Sequence, residues 1–227
     1  MMIDFTPLIL SIKLAALSTI ILLFLCAPLT YLLAFRKFRG KLLVEAFIGL
    51  PLVLPPTVFG FYMLILLGSE GVVGRLYQSL LGKPLIFTFA GIVLASMLHS
   101  LPYVVQPLKV TFEKIDPRLL ESAAVLGCSQ VATFFRVVLP NSLGGIMAAA
   151  ILTFAHAMGG FGVILMVGGS IPGKTKVASI AIYEYVEAMR YDQAWLLSMA
   201  MLIISYMVLL FVNFLNRSKN YGTQSLH

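Results

Sequence analysis

Five long stretches of the chain carry no charged residue: 14–35, 46–69, 85–108, 141–173 and 193–216. About 20 mostly apolar residues span the ~30 Å hydrocarbon layer of a bilayer as a helix, so each stretch predicts a membrane-crossing helix. None shows the period-two alternation of a strand, and lipid excludes an open strand edge with unpaired backbone groups. The fourth stretch is too long for one helix. Its glycine-rich tail, 159–173, reads as a loop leaving the bilayer. The predicted fold is all-α, an integral membrane protein of about five transmembrane helices, with 1–227 as a single domain.

Charges fall between these stretches and set their direction. Arg36, Lys37, Arg39, Lys41, Lys109, Lys114, Arg118, Arg136, Arg217 and Lys219 would share one side. Arg75, Lys83, Lys174, Lys176 and Arg190 would share the other. Short cytoplasmic loops carry the excess of Lys and Arg, so the larger set predicts the cytoplasmic face. The N-terminus is then outside, and the tail 217–227 inside. Lys13 remains at the outer end of the first stretch, where its stem can snorkel to the headgroups.

Composition agrees: 60% of the 227 residues are hydrophobic and 11% are charged, against roughly 25% charged in soluble domains. The net charge of +7 does not make a nucleic-acid binder. That function needs basic residues gathered on one face with stacking aromatics, whereas here they punctuate uncharged runs. Cys26 and Cys128 lie far apart and outline neither a disulfide framework nor a metal site. The first apolar run has no basic leader before it and reads as a retained span, not a removed signal.

The inner-side segment 109–140 is the most structured of the polar stretches. Asp116-Pro117 is a helix start, with Asp as cap and Pro at the first helical position. Gly127 is a stop. The enclosed helix, 117–126, is short enough that it must pack on something to persist. A second short helix is predicted over 130–139, capped by Ser129 and ended by Pro140.

Glu121-Ser122-Ala123-Ala124, then Gly127, then Val137-Val138-Leu139-Pro140, resembles the EAA loop of ABC importer permeases. Ser122 replaces the first Ala of that pattern and Val137 its Ile. The resemblance implies that this loop is the coupling helix, seated in a groove of a cytoplasmic ATPase subunit. Glu121, Ser122, Ala123, Ala124, Gly127, Leu139 and Pro140 would form the contact. Leu50-Pro51-Leu52-Val53-Leu54-Pro55-Pro56, Arg75-Leu76-Tyr77, Gly160-Phe161-Gly162 and Ile171-Pro172-Gly173-Lys174-Thr175 resemble the molybdate branch of that family, with Gly160 departing where relatives commonly carry Glu. The implied fold is the small, type I importer-like permease core. The implied partners are a second copy of the chain, two ATP-binding cassette subunits that use ATP and Mg, and an extracytoplasmic oxyanion-binding protein. No cofactor is implied on the permease itself, and its place is a bacterial cytoplasmic (inner) membrane.

Gly168 to Thr175 matches the phosphate-loop pattern G-x-x-x-x-G-K-[ST] letter for letter. Three features oppose an ATPase reading. The charge bias puts the segment outside the cell. Pro172 removes an N–H from a loop that must cradle phosphate with N–H groups. Neither a magnesium-holding Asp after an apolar run nor a surrounding parallel sheet is predicted.

Pro51, Pro55 and Pro56 predict a kinked or delayed second span, and unwound backbone at that depth is tolerated where it lines a cavity. Pro55, Pro56, Thr57, Gly159 and Gly160 are therefore the candidate lining of a translocation pathway. The cluster Gly159, Gly160 and Gly162 reads equally as a point of close approach or as a hinge. His99 and His156 lie in apolar stretches without a carboxylate or second His at i+4, which predicts buried, hydrogen-bonded histidines and not a metal site. Residues 175–190 predict an outer-surface helix with Lys176, Ser179, Tyr183, Glu187 and Arg190 on one polar face, within an outer loop 169–192.

The resulting expectation is a membrane-spanning permease subunit that does no chemistry itself and carries molybdate inward. Tungstate, sulfate or another oxyanion is the alternative cargo. A separate class, an autonomous secondary carrier or channel, would carry ionisable residues within its spans, and these are scarce. An intramembrane enzyme would need paired catalytic groups, which the pattern does not supply.

Overall fold

A computed structural model describes residues 4–220, with side chains through Leu210. Within these residues the chain is helical and contains no strand. The first helix, α1 (Thr6–Phe35), begins about two turns before the uncharged stretch that predicted it. The Asp4 carboxylate caps it by accepting from the Thr6 N–H at 2.9 Å. Lys13 consequently sits inside α1 as an exposed side chain and not at its end.

The second stretch is not one kinked span. It forms α2 (Lys41–Val53) and α3 (Pro56–Leu67), which turn by 119° relative to each other. Leu54 and Pro55 both adopt extended backbone, with ψ of 135° and 138°. A residue before proline is pushed out of the α region, and two consecutive prolines impose that twice while withholding two N–H donors. After α4 (Val72–Leu81), α5 (Phe89–Glu113) is the central helix. Its N-cap Thr88 accepts from the Gly91 N–H at 3.1 Å.

The main core lies where α5 packs on α1 and on α9 (Leu143–Met158). Leu14, Leu33, Ile92, Val104, Leu108, Phe112 and Ala149 are fully buried there. Gly145 of α9 lies so close to α5 that a Cβ at that position would sit 2.0 Å from Thr111 Oγ1.

The predicted loop 159–173 is interrupted by a short helix, while 159–161 and 169–173 are non-helical. Residues Gly162–Gly168 form α10, a short helix packed on α3 and α5, and Val163, Ile164 and Val167 are buried. A glycine of α3 permits the close approach: a Cβ on Gly60 would meet Val163 Cα and Met166 Cβ at 3.0 Å. The predicted helix over 175–190 is shorter, α11 (Ala178–Glu187). Of the last helix, α12 (Tyr191–Asn220), an apolar window within Tyr191–Leu210 is only 11% buried against the rest of the chain. The predicted tail 217–227 falls mostly outside the described residues, since 221–227 lie beyond them.

Among the described residues three helices, α1, α5 and α12, are long and apolar enough to cross a membrane, and up to five spans result if each of two bent pairs is one span. Polar contacts collect at the two ends of α1. At its C-terminal end Arg36 donates to Gln130 Oε1 at 2.6 Å. Near its N-terminal end the Ser11 hydroxyl accepts from the Ala178 N–H at 2.8 Å.

Candidate functional site

The segment after α5 contains α6 (Pro117–Val125), α7 (Gln130–Thr133), a π-turn (Phe134–Val138) and α8 (Leu139–Asn141). The caps read from the sequence are present: Asp116 Oδ1 accepts from the Arg118 N–H at 2.9 Å, and Ser129 Oγ from the Ala132 N–H at 3.2 Å. Gly127 takes the left-handed conformation, φ +74°, after α6. There the Gly127 N–H donates to the Ala124 carbonyl and the Cys128 N–H to the Ala123 carbonyl, at 3.0 and 2.9 Å. This closes the helix end with the paired bonds that a glycine at that place allows.

Only Ala123 of α6 is buried. Glu121, Ser122 and Ala124 are exposed, as are Val125 and Leu126 at 88% and 81%. A short helix presenting that much apolar surface is incompletely packed within its own chain. Pro140 does not end the second helix, contrary to expectation. The helix runs on to Asn141 through the π-turn, in which the Leu139 N–H reaches the Phe134 carbonyl. Widening the turn removes the clash that a helical proline makes with the carbonyl four residues back. The chain then bends by 77° into α9.

The second candidate region is a cleft of ≈ 490 Å³ among α3, α5, α9 and α10. Four of the five predicted pathway residues line it: Pro56, Thr57, Gly159 and Gly160, brought together from segments a hundred positions apart. Pro55 adjoins it as the cap of α3. Gly162 also reaches α3, where a Cβ on it would lie 3.3 Å from Pro56 Cβ. The Gly160 carbonyl accepts from Ser179 Oγ at 2.7 Å, which ties the cleft to α11.

Sequence reasoning placed His99 and His156 as separate buried residues; the structure makes them a pair. His156 Nε2 lies 3.0 Å from His99 Nδ1. Tyr103 stacks on His156 at 3.9 Å and 20°, and Phe59 stands 5.3 Å from His99. Both imidazoles line the cleft. Their sequence separation of 57 carries no signal of this contact.

In the loop between α10 and α11, the phosphate-loop look-alike is internally bonded. The N–H groups of Lys174, Thr175 and Lys176 all donate to the Ile171 carbonyl, at 3.1, 3.0 and 3.1 Å. Thr175 Oγ1 donates to the Gly168 carbonyl at 2.7 Å and accepts from the Ile171 N–H at 3.1 Å. The N–H groups of Ile171, Lys174 and Thr175 are thus already used. The predicted polar face also divides: Lys176 and Ser170 bind Glu184, while Tyr183 donates to Glu187 at 2.6 Å. Partial burial disfavours the charged form of Glu184, but the bonds from Lys176 and Ser170 outweigh it and hold the carboxyl below its ordinary value.

Residues 26–219 match the family model described as binding-protein-dependent transport system inner membrane component. The chain is 47% identical to the molybdenum transport system permease protein ModB of Azotobacter vinelandii, over 91% of each chain. It is 32% identical to the ModB of Escherichia coli K12 over 81% of this chain and 80% of that one. It is also 32% identical to a probable sulfate transport system permease protein of Chlorella vulgaris, over 82% and 69%. Among solved structures, a bacterial alginate ABC transporter in complex with an alginate-bound periplasmic protein aligns with TM-score 0.74 at 19% identity, covering 92% of this chain and 76% of that one. An amino acid ABC transporter aligns with TM-score 0.60 at 17% identity, covering 96% and 100%. These two establish the fold; the family rests on the sequence matches. The chain is a member of the binding-protein-dependent transport system inner membrane components, a multi-pass protein of the inner membrane.

Proposed function

We propose that the whole chain is one permease domain of an ATP-driven importer that carries molybdate into the cell. The observation that carries the cargo assignment is 47% identity across 91% of both chains to a molybdenum transport permease. Sulfate permease relatives at 30–32% identity mark the competing oxyanion.

In this reading two copies face each other across the cleft, whose rim residues Pro55, Pro56, Thr57 and Gly159 are exposed on the single chain. The coupling contact is α6 with its flanks: Glu121, Ser122, Ala123, Ala124 and Gly127, with Leu139 and Pro140 behind them. The exposed apolar end, Val125 and Leu126, supports a protein partner there, because water alone leaves it uncovered. That partner is an ATPase subunit, one per permease copy, holding the ATP and Mg. The Lys/Arg bias puts α6 in the cytoplasm and the N-terminus outside, where a binding protein delivers the anion. Closure of the two ATPases then moves two α6 helices as levers and exchanges outward- and inward-facing states.

The test is uptake by proteoliposomes holding the permease with its ATPase, supplied with loaded binding protein. Molybdate should accumulate only with ATP, and sulfate in tenfold excess should not compete. Accumulation without the ATPase, or equal competition by sulfate, would overturn the assignment.

A further inference from the structure

The cleft poses an electrostatic problem. Its lining is Pro56, Thr57, Ala155, Phe161, Val163, three glycines and the two histidines. It contains no carboxylate, ammonium or guanidinium, so a multiply charged oxyanion entering it would lose water and meet no countercharge. Binding along a pathway must be favourable enough to enter and weak enough to leave. A countercharge present only while the anion is present satisfies both.

We propose that His99 and His156 form a one-proton anion site, on which the transiting oxyanion and a single proton bind together. This rests on the oxyanion-importer reading above. Whichever ring holds the shared hydrogen, the neutral pair keeps one N–H between Nε2 of His156 and Nδ1 of His99. That leaves one outer donor and one outer acceptor. One added proton converts the outer acceptor into a second donor and preserves the inner bond. A second proton would break that bond and place two cations 3.0 Å apart. The pair therefore changes by one charge only.

An acceptor-only oxyanion is matched by an outward N–H on a monocation, and Thr57 lines the same cleft. Tyr103, stacked on His156 at 3.9 Å, offers its ring face to the imidazolium. His99 is 8% exposed while His156 is half-buried, so the pair is anchored on α5 and reaches the cleft from α9. Other titratable groups on the packed elements are Tyr62 on α3, Lys13, Cys26 and Tyr31 on α1, Lys41 and Glu45 on α2, Tyr191, Asp192 and Tyr206 on α12, Tyr183 on α11 against Phe161, and Lys109 and Glu113 toward the end of α5. Lys109 is engaged with Glu45 at 2.6 Å and Tyr31 packs on Phe134. None of them lines the cleft. The proton enters from the outer solution with the anion, and the N–H bond it forms breaks when the anion leaves inward, so one proton crosses per anion and the pair returns to its starting state.

The experiment is molybdate uptake by the complete importer in proteoliposomes, with saturating binding protein, between external pH 6 and 8. Wild-type uptake should fall as pH rises, by up to about tenfold per unit for a one-proton step. His156→Gln and His99→Gln, checked for assembly by co-purification with the ATPase, should be at least tenfold slower and pH-independent. A flat wild-type profile, or variants that keep the wild-type rate and slope, would overturn the site. Should one variant fail to assemble, the other and the wild-type profile decide. Molybdate uptake with a flat profile removes this site alone, whereas no ATP-dependent uptake of molybdate removes the function and the site with it.

Discussion

The guanidinium of Arg36 donates to Gln130 Oε1 at 2.6 Å, joining the last turn of α1 to the first residue of α7, 94 positions away. This bond links a membrane-crossing helix directly to the segment that follows the proposed lever. Among the described residues α6 itself packs only through Ala123 and partly through Leu120, so motion of the proposed lever would pass along such links. A charge-assisted hydrogen bond at a partly exposed place contributes about 1 kcal/mol. Gln130→Ala should therefore lower uptake per ATP hydrolysed by roughly fivefold or less, with thermal stability nearly unchanged. A double-mutant cycle with Arg36→Ala, read as uptake against hydrolysis, should show the two effects to be non-additive. Full additivity would mean the bond transmits nothing.

Gly127 tests the lever's end. Its φ of +74° disfavours a side chain, yet a Cβ there would meet nothing within 4 Å. Cost is thus conformational and not steric. Gly127→Val should destabilise the α6 end by about 1–2 kcal/mol and reduce coupled uptake, while the protein still inserts and assembles. Gly127→Asn should retain most uptake, because Asn tolerates the left-handed region. Equal activity of the Val and Asn variants would show that helix closure at Gly127 does not matter for coupling.

How far these features were legible in the sequence follows from the range of the physics behind them. Asp116, Ser129 and Gly127 act on backbone groups two to five residues away, so caps and stops could be read directly. Hydropathy is likewise local, and it located α1, α5 and α12. The helix within 159–173 was missed because the glycine-rich stretch suggested a loop, whereas Gly162 serves contact with Pro56, a residue no window around it contains. Pro140 was misread for a related reason: a proline stops an α-helix, but a π-turn anchored by the buried Phe134 and Val138 lets the chain continue. The His99–His156 pair required the packing of α5 on α9, which neither stretch announces alone.

Acid should loosen the loop between α10 and α11. Glu184 has its carboxyl held below the ordinary value of 4.5 by Lys176 and Ser170, against the opposing effect of partial burial. Its folded value lies below its unfolded one, so its contribution is present above about pH 4.5 and is lost as pH falls through the folded value. Much of that contribution is screened by solvent, and it stays below about 1 kcal/mol. Protease cleavage within 169–177 should be faster in Glu184→Gln than in wild type at pH 7. Near pH 3 the two should converge. A difference that persists undiminished into acid would assign the effect to packing and not to charge.

The segment 168–175 separates two readings of the same letters. A phosphate loop needs the Lys174 ammonium for its ligand, whereas in this fold Lys174 is exposed and the structural burden falls on Thr175, which is fully buried. Thr175→Ala would leave the Gly168 carbonyl and the Ile171 N–H without their shared hydroxyl. Each orphaned buried group costs about 1–3 kcal/mol, so the variant should lose several degrees of thermal stability in detergent. Thr175→Ser keeps the hydroxyl and should recover most of that loss. Lys174→Ala, in contrast, should leave both stability and ATP-driven uptake at wild-type levels. If Lys174→Ala abolished nucleotide-dependent uptake while Thr175→Ala left the thermal midpoint unmoved, the loop would be acting on a phosphate and its bonding to Ile171 would be incidental.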